Sequence, residues 1–496
     1  MRKLRTLAAV LLMLAMTACS DNNSSSEIDL TGVAASDGTV KTGKLTSTGK
    51  STVITLNGTS VTADSDAVEI SGSQITIKDE GTYIVSGTLD DGMIIINADK
   101  EDKVEVVLNG ASITSKTSAA IYVYQADKLT VTLADGSVNY LANGGSYTAI
   151  DENNIDAVIF SKDDLSLEGN GELTVKADEG HGVVSKDDLT IESGSYNVTA
   201  QKDCFQANAT VTVSGGNLTI AAGDDGIHSD ENVTISNGVI MITESYEGIE
   251  GLGIDISGGT IEIISEDDGL NAGGGTDSSG FEDFQGKGMF GTGNMTDTAA
   301  SGSDSSIYIN ISGGKIYINA SGDGIDSNGN LTVSGGEVYV SGPTNDGNGS
   351  FDYAGTADVT GGTVIAVGSS GMAQNFGTSS TQGSVMLSVG NQSAGTVSIT
   401  DSKGNVLASY DTEKSYSCVV ISCAGLNVGE SYTITAGSYS ETIQLDSLIY
   451  GNSSGNIGGN GGGNRGEPGA GMDKAPGGAQ GGGFGGAPGG GQGNWQ

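Results

Sequence analysis

Acidic residues recur beside glycine along the middle of this chain, at a spacing that would stack oxygen donors and so points to cation chemistry. The clearest copies are Asp225-Gly226-Ile227-His228, Glu247-Gly248-Ile249-Glu250, Asp268-Gly269-Leu270-Asn271 and Asp323-Gly324-Ile325-Asp326. Looser copies are His181-Gly182-Val183-Val184, Asp203-Cys204-Phe205-Gln206 and Asp346-Gly347. In register they form one column of His181, Asp203, Asp225, Glu247, Asp268 and Asp323, and a second of Gln206, His228, Glu250, Asn271 and Asp326. Asp224, Glu266 and Asp267 add acids beside the first column. Two carboxylates one repeat apart repel by about 3.5 kcal/mol at an effective dielectric near 20, so such a ladder asks for water, protons or a cation. Hard oxygen ligands in excess suit Ca²⁺ and not zinc, which prefers His and Cys sets. The expected ligand set is Asp203, Asp224, Asp225, Glu247, Glu250, Asp267, Asp268, Asn271, Asp323 and Asp326. The competing reading is that Asp-Gly only makes the turn into a strand. That accounts for the glycine and one acid, and poorly for the second column.

No catalytic residue is assigned. Cys204 occupies the glycine position of its repeat and reads as a small buried filler, although His181 lies one repeat earlier. Cys418 and Cys423 lie close enough in sequence to form a disulfide in an oxidising compartment.

The elements that must position these residues repeat. Short strand-like triplets begin at Leu189, Val211, Val233, Ile254, Ile309, Leu331 and Ala357, with steps of 22, 22, 21, 55, 22 and 26 residues. Glycine turns such as Ser214-Gly215-Gly216 and Ser257-Gly258-Gly259 follow them. A constant period is the mark of a solenoid. Each repeat holds about three short strands and no helical apolar spacing, so the expected fold is all-β, a right-handed parallel β-helix of about 22 residues per coil. Val183, Phe205, Ile227, Ile249, Leu270 and Ile325 should point into its core. Upstream, looser coils are expected, with Val104–Leu108 ending at Asn109-Gly110.

The expected domain plan has a β-helix over residues 51–382, interrupted by a polar loop insertion at 273–305. A small C-terminal β module at 383–450 should cap the open end, and the Gly-rich composition of 451–496 predicts disorder. At the start, Met1-Arg2-Lys3-Leu4-Arg5 and the apolar Ala8–Ala15 read as a lipoprotein signal peptide over residues 1–18. Met16-Thr17-Ala18-Cys19 resembles a bacterial lipobox, which implies lipidation of Cys19 and a flexible spacer over 19–50. The membrane would then be reached through the lipid anchor alone, on the extracellular face of the cell membrane. Removing residues 1–18 takes away Arg2, Lys3 and Arg5 and no acid, moving the net charge from −40 to −43. That charge argues against nucleic-acid binding.

The runs Gly81-Thr82-Tyr83-Ile84-Val85-Ser86-Gly87-Thr88-Leu89-Asp90-Asp91-Gly92, Ala119-Ala120-Ile121-Tyr122-Val123, Lys162-Asp163-Asp164-Leu165 and Lys186-Asp187-Asp188-Leu189 resemble the bacterial carbohydrate-binding β-helix family of surface lipoproteins. Lys414–Ser422 resembles the C-terminal part of the same family. The resemblance implies a fold related to pectate lyases, bound calcium, and binding of acidic plant polysaccharide such as polygalacturonate, with cellulose as a further partner. It carries no catalytic motif. Tyr122, Tyr124, Tyr140, Tyr147, Tyr246 and Tyr353 are candidates for stacking on sugar rings, and no carbohydrate-binding residue is singled out.

Two other readings stand beside the binder. Gly180-His181-Gly182 and Asp224-Asp225 resemble fragments of polygalacturonase motifs, in the opposite order and without the Arg/Lys motif. Elimination of the pectate lyase kind needs a strong base, and the chain has no arginine between Arg5 and Arg465, although lysines remain. The last alternative is an adhesin or rigid stalk.

Overall fold

The computed structural model describes residues 39–45, 51–273 and 306–451. The expected signal peptide, Cys19, nearly all of the spacer, the insertion beyond Gly273 and the Gly-rich tail lie outside the described residues. Within them the chain is all-β: 41 strands fall into sheets of 25, 12 and 4 strands.

One circuit of the chain shows how the sequence makes the larger sheets. Ile227–Ser229 joins the 12-stranded sheet, then Asn232–Ile235 and Val239–Glu244 join the 25-stranded sheet. The next circuit repeats this with Ile249–Gly251, Gly253–Ile256 and Thr260–Ser265. Each strand pairs in parallel with its counterpart one circuit on: Ile227 with Ile249, Val233 with Ile254, Ile240 with Ile261. Alternation places Val233, Ile235, Ile240 and Ile242 inside, at 0–1% exposure, and turns Thr234 and Met241 outward. These apolar positions join Phe205, Ile227, Ile249, Leu270 and Ile325 in one continuous core.

The turn between the two longer strands depends on glycine. Gly216, Gly238, Gly259, Gly314, Gly336 and Gly362 have φ between 80° and 107°, which residues with a Cβ rarely adopt. Across the long step the ladder continues without loss of register, pairing Ile254 with Ile309, Ile261 with Ile316 and Leu270 with Ile325.

Two expectations are corrected near the ends. Asn109-Gly110 does not end a strand, because Lys103–Ser115 runs through it. Gly110 N and Ala111 N both donate to Asn139 Oδ1 from the next circuit, so a side chain holds the backbone there in place of a chain reversal. The Asp346-Gly347 copy is also displaced: Ile325 pairs with Phe351, and Asp346 instead accepts from Ser369 Oγ.

After Thr363–Gly368 the parallel pattern stops, and Tyr416–Ser422 takes up that strand's edge antiparallel. The four-stranded antiparallel sheet follows, with a separate core that includes Val397, Ile399, Ile421, Tyr432 and Ile434. A stack of three rings joins the two parts: Tyr317 to Tyr339 at 5.1 Å and Tyr339 to Tyr410 at 5.2 Å between centroids.

The expected Cys418–Cys423 bridge is absent, and both thiols are free and buried. Five steps along an extended chain separate the residues by roughly 16 Å and place them on opposite faces. Cys418 accordingly packs in the main core and Cys423 in that of the C-terminal sheet. A disulfide needs Cα atoms within about 7 Å.

A carboxylate ladder on the short-strand sheet

The site is built by the glycine before each short strand. At Gly226, Gly248, Gly269 and Gly324 a Cβ would run into the next circuit's backbone and into an isoleucine or valine side chain of the core. The chain therefore passes inward at two successive positions, glycine and then the apolar residue. The residues on either side of that pair both emerge on the outer face, three positions apart.

Pairing stacks these outward residues. The column after the apolar position runs Tyr122, Phe160, Val184, Gln206, His228, Glu250, Asn271, Asp326 and Asp352. The column before the glycine runs His181, Asp203, Asp225, Glu247, Asp268 and Asp323, fixed by N–H bonds from each glycine position to the next acid's carbonyl. The face changes character along its length. It begins apolar, with Tyr122, Phe160 and Val184 packed beneath Ile155 and Tyr147, and becomes acidic from Asp203 onward.

In the middle of the ladder histidine supplies the positive charge. His228 Nδ1 lies 3.0 Å from Asp225 Oδ2 and 2.7 Å from Glu250 Oε2, while Nε2 lies 3.2 Å from Asp230 Oδ1. Burial works against the charge on His228, but the bonds to Asp225, Asp230 and Glu250 outweigh it and raise its pKa far above the ordinary value. His181 Nδ1 faces Asp203 Oδ2 at 3.1 Å. Burial alone would raise the Asp203 pKa, yet His181, His228 and the Asp225 N–H hold it below the usual carboxylate value. Asp225 goes the other way: burial, then Asp203, Glu250 and Glu247, push it up despite the His228 bond.

Beyond Glu247 the compensation ends. Asp268, Asp323 and Asp326 bring carboxylate oxygens within 4.8 Å of one another, and among the described residues no basic side chain pairs with them. Burial is the largest cause of each shift here. With the charges of Asp326 and Asp267 it carries Asp268 to about 8. Asp323 and Asp352 help carry Asp326 to about 7, and Asp323 itself reaches about 6. Asn271 Nδ2 donates to Glu247 Oε2 at 2.7 Å, which leaves Asn271 Oδ1 buried without a hydrogen-bond partner. The Asp267 and Asp268 carboxylates lie against Gly322, where a Cβ would collide with both. The three converging carboxylates fit a hard cation with oxygen ligands.

The ten expected ligands therefore divide. Asp203 and Asp225 gather around His228, Asp225 also meets Glu247 and Glu250, and Asp268, Asp323 and Asp326 form the cluster without a histidine. Asp224 and Asp267 stand in a third column with Tyr246 between them, so the stack does not bring those two acids together. The sequence reading placed His228 in the column without giving it the role of counter-charge. It missed Asp352, which accepts from Gln374 Nε2 at 2.7 Å, and the Asp164, Asp187 and Asp188 cluster. The Lys-Asp-Asp runs were the available signal for that cluster. Of the six tyrosines considered for stacking, Tyr124 alone is exposed, with Lys162 Nζ 4.6 Å from its ring centre.

Residues 71–349 match the family of carbohydrate-binding domain-containing proteins. The chain belongs to that family. A relative of the same description from Acetivibrio thermocellus is 34% identical over 202 residues, which are 40% of this chain and 65% of that protein. The chain thus spans just under two thirds of that relative's length. Among solved structures, a gadolinium derivative of the polysaccharide lyase-like protein from C. thermocellum is 28% identical, covering 63% of this chain and 97% of that one with a TM-score of 0.40.

Proposed function

We propose that this chain is a non-catalytic surface lipoprotein, anchored through Cys19, that binds acidic polysaccharide of the polygalacturonate type through calcium held on the carboxylate ladder. In this reading the stacked circuits form a right-handed parallel β-helix capped by the C-terminal sheet. The carrying observation is the Asp268, Asp323 and Asp326 cluster, whose Asp326 pairs in register with Asn271, a residue whose Oδ1 is buried without a hydrogen-bond partner. A protein of net charge −40 repels a polyuronate, so a cation bound with open coordination positions is needed to bridge the two carboxylate sets. Binding without turnover is favoured by the disposition of the bases. The chain's two histidines, His181 and His228, are both buried against carboxylates, and no arginine lies between Arg5 and Arg465.

The test is retention of the protein on polygalacturonate in calcium and in EDTA, with the soluble fraction assayed for new reducing ends and for unsaturated uronide absorbance. Calcium-dependent retention with neither product is the expected result. Released product would make the protein a lyase or hydrolase. Equal retention in EDTA would remove the bridging role of the metal.

A further inference from the structure

Midway along the ladder, nitrogen and oxygen donors converge in a way that differs chemically from the oxygen-only cluster. At the centre is His228 Nδ1, 3.0 Å from Asp225 Oδ2, three residues back, and 2.7 Å from Glu250 Oε2, one circuit on. A single Nδ1–H donates in one direction, and here it meets Asp225 Oδ2. Glu250 Oε2 is nearer, yet it is buried without a hydrogen-bond partner in a residue only 5% exposed. A buried carboxylate oxygen without a donor is costly. One proton cannot serve both oxygens, whereas a cation on the Nδ1 lone pair meets all three atoms at once.

Spacing and charge both suit a small divalent ion. Ligands at right angles on bonds of 2.0–2.1 Å lie about 2.9 Å apart, close to the two separations around Nδ1. Calcium, with bonds of 2.3–2.6 Å, spreads right-angled ligands to about 3.3–3.7 Å. As an imidazolium, His228 brings one positive charge to Asp225 and Glu250; a divalent ion on the neutral ring brings two. Asp203 belongs to the same group, its ligand atom lying within 4.8 Å of those of Asp225 and His228.

The other ring nitrogen is placed for the same role. His228 Nε2 lies 3.2 Å from Asp230 Oδ1. Metal-ligating histidines almost always pass their remaining N–H to a carboxylate, a carbonyl or water, which fixes the ring and raises its basicity. The Asp230 side chain is 39% exposed, so the group meets solvent on that side.

We infer that His228 Nδ1, Asp225 and Glu250 form a site for a divalent ion of the zinc class, oriented by Asp230 and distinct from the calcium cluster at Asp268, Asp323 and Asp326. Imidazole nitrogen favours zinc-like ions, and carboxylates alone favour calcium. Asp225 and Glu250, expected from the sequence as calcium ligands, serve a different ion here, and the ladder sorts cations along its length.

The experiment strips the full mature chain of metal, saturates it with calcium, and titrates zinc while recording the imidazole ¹⁵N resonances. The chain has two histidines, and His181→Gln, which leaves the site in place, tells their rings apart. One equivalent of zinc is expected to bind and to shift the Nδ1 resonance of His228. Asp230→Asn, at the exposed side, should weaken zinc about tenfold to a hundredfold with little change in melting temperature. Asp326→Asn should leave zinc affinity unchanged. Zinc that moves neither imidazole, zinc that excess calcium displaces, or equal zinc affinity in Asp230→Asn would overturn the inference. Loss of zinc binding in Asp326→Asn would merge the two clusters and overturn it as well. No polysaccharide enters the measurement, so its outcome is separate from that of the sugar reading.

Discussion

His228 Nδ1 sits between two carboxylates of successive circuits, 3.0 Å from Asp225 Oδ2 and 2.7 Å from Glu250 Oε2. One imidazolium thus neutralises a step of the ladder, and its removal leaves buried acids facing each other. Breaking a buried ion pair from one side typically costs about 3–5 kcal/mol. His228→Gln should be destabilised on that scale in denaturant titrations near pH 6. The pH dependence has a definite sign, since the folded pKa of His228 is raised above its ordinary 6.5. Its contribution is fully present below 6.5 and is lost as pH rises toward the folded value. The gap between wild type and His228→Gln should therefore narrow from pH 6 to pH 9. A constant gap would mean that His228 acts through packing and not through charge.

The acids at Asp268, Asp323 and Asp326 behave in the opposite way to a salt-bridged carboxylate. Their pKa values rise from 3.8 to about 8, 6 and 7, so the metal-free fold holds protons that the unfolded chain releases. In EDTA, stability should fall as pH climbs from about 4 to 8, by up to about 1.4 kcal/mol per pH unit for each proton involved. Calcium should reverse the trend, because a cation replaces the protons and binds more tightly as they leave. Asp326→Asn should flatten the EDTA profile and lower calcium affinity. An EDTA profile for wild type that is already flat across this range would show that the cluster is solvated and not a metal site.

The glycine that sends both neighbours outward is tested by filling it. At Gly248 a Cβ would meet the Gly269 carbonyl of the next circuit and the Ile263 Cγ2 methyl of its own. Overpacking of this kind costs about 1–3 kcal/mol, so Gly248→Ala should lower the urea midpoint accordingly. Ile263→Ala, which removes the obstructing Cγ2, should cost less in the Gly248→Ala background than in wild type, because one of the two obstructions is that methyl. Full stability of Gly248→Ala would show that the circuits can separate locally.

The parts of this architecture that repeat at the circuit length were legible in the sequence. Ile227, Ile249 and Leu270 recur every 21 or 22 residues with the same neighbours, and pairing places them directly over one another. What escaped were relations that depart from that step or depend on which acid a base reaches. Asp352 lies 26 residues after Asp326, past a longer turn, so a search at the common period stops short of it. The role of His228 depends on Glu250 in the next circuit, and the motif Asp225-Gly226-Ile227-His228 alone suggests only a local contact. The shift in the face from Tyr122, Phe160 and Val184 to acids was present in the columns. It became readable only once strands of unequal spacing were paired.

Cys418 and Cys423 show how sequence proximity misleads in an extended strand. Five positions are close in number, yet the residues face different cores, and Cys204 is a third buried thiol. Burial pushes all three thiol pKa values up, that of Cys423 to about 11. Thiolate is the reactive form, so these residues should be inert in the folded protein. The folded mature chain should leave an aromatic disulfide reagent colourless for hours at pH 8, then release three equivalents from these positions on unfolding in guanidinium. Dithiothreitol should leave the melting temperature unchanged. A fall in melting temperature under reduction, or only one equivalent on unfolding, would restore the Cys418–Cys423 bridge and require the strand Tyr416–Ser422 to bend.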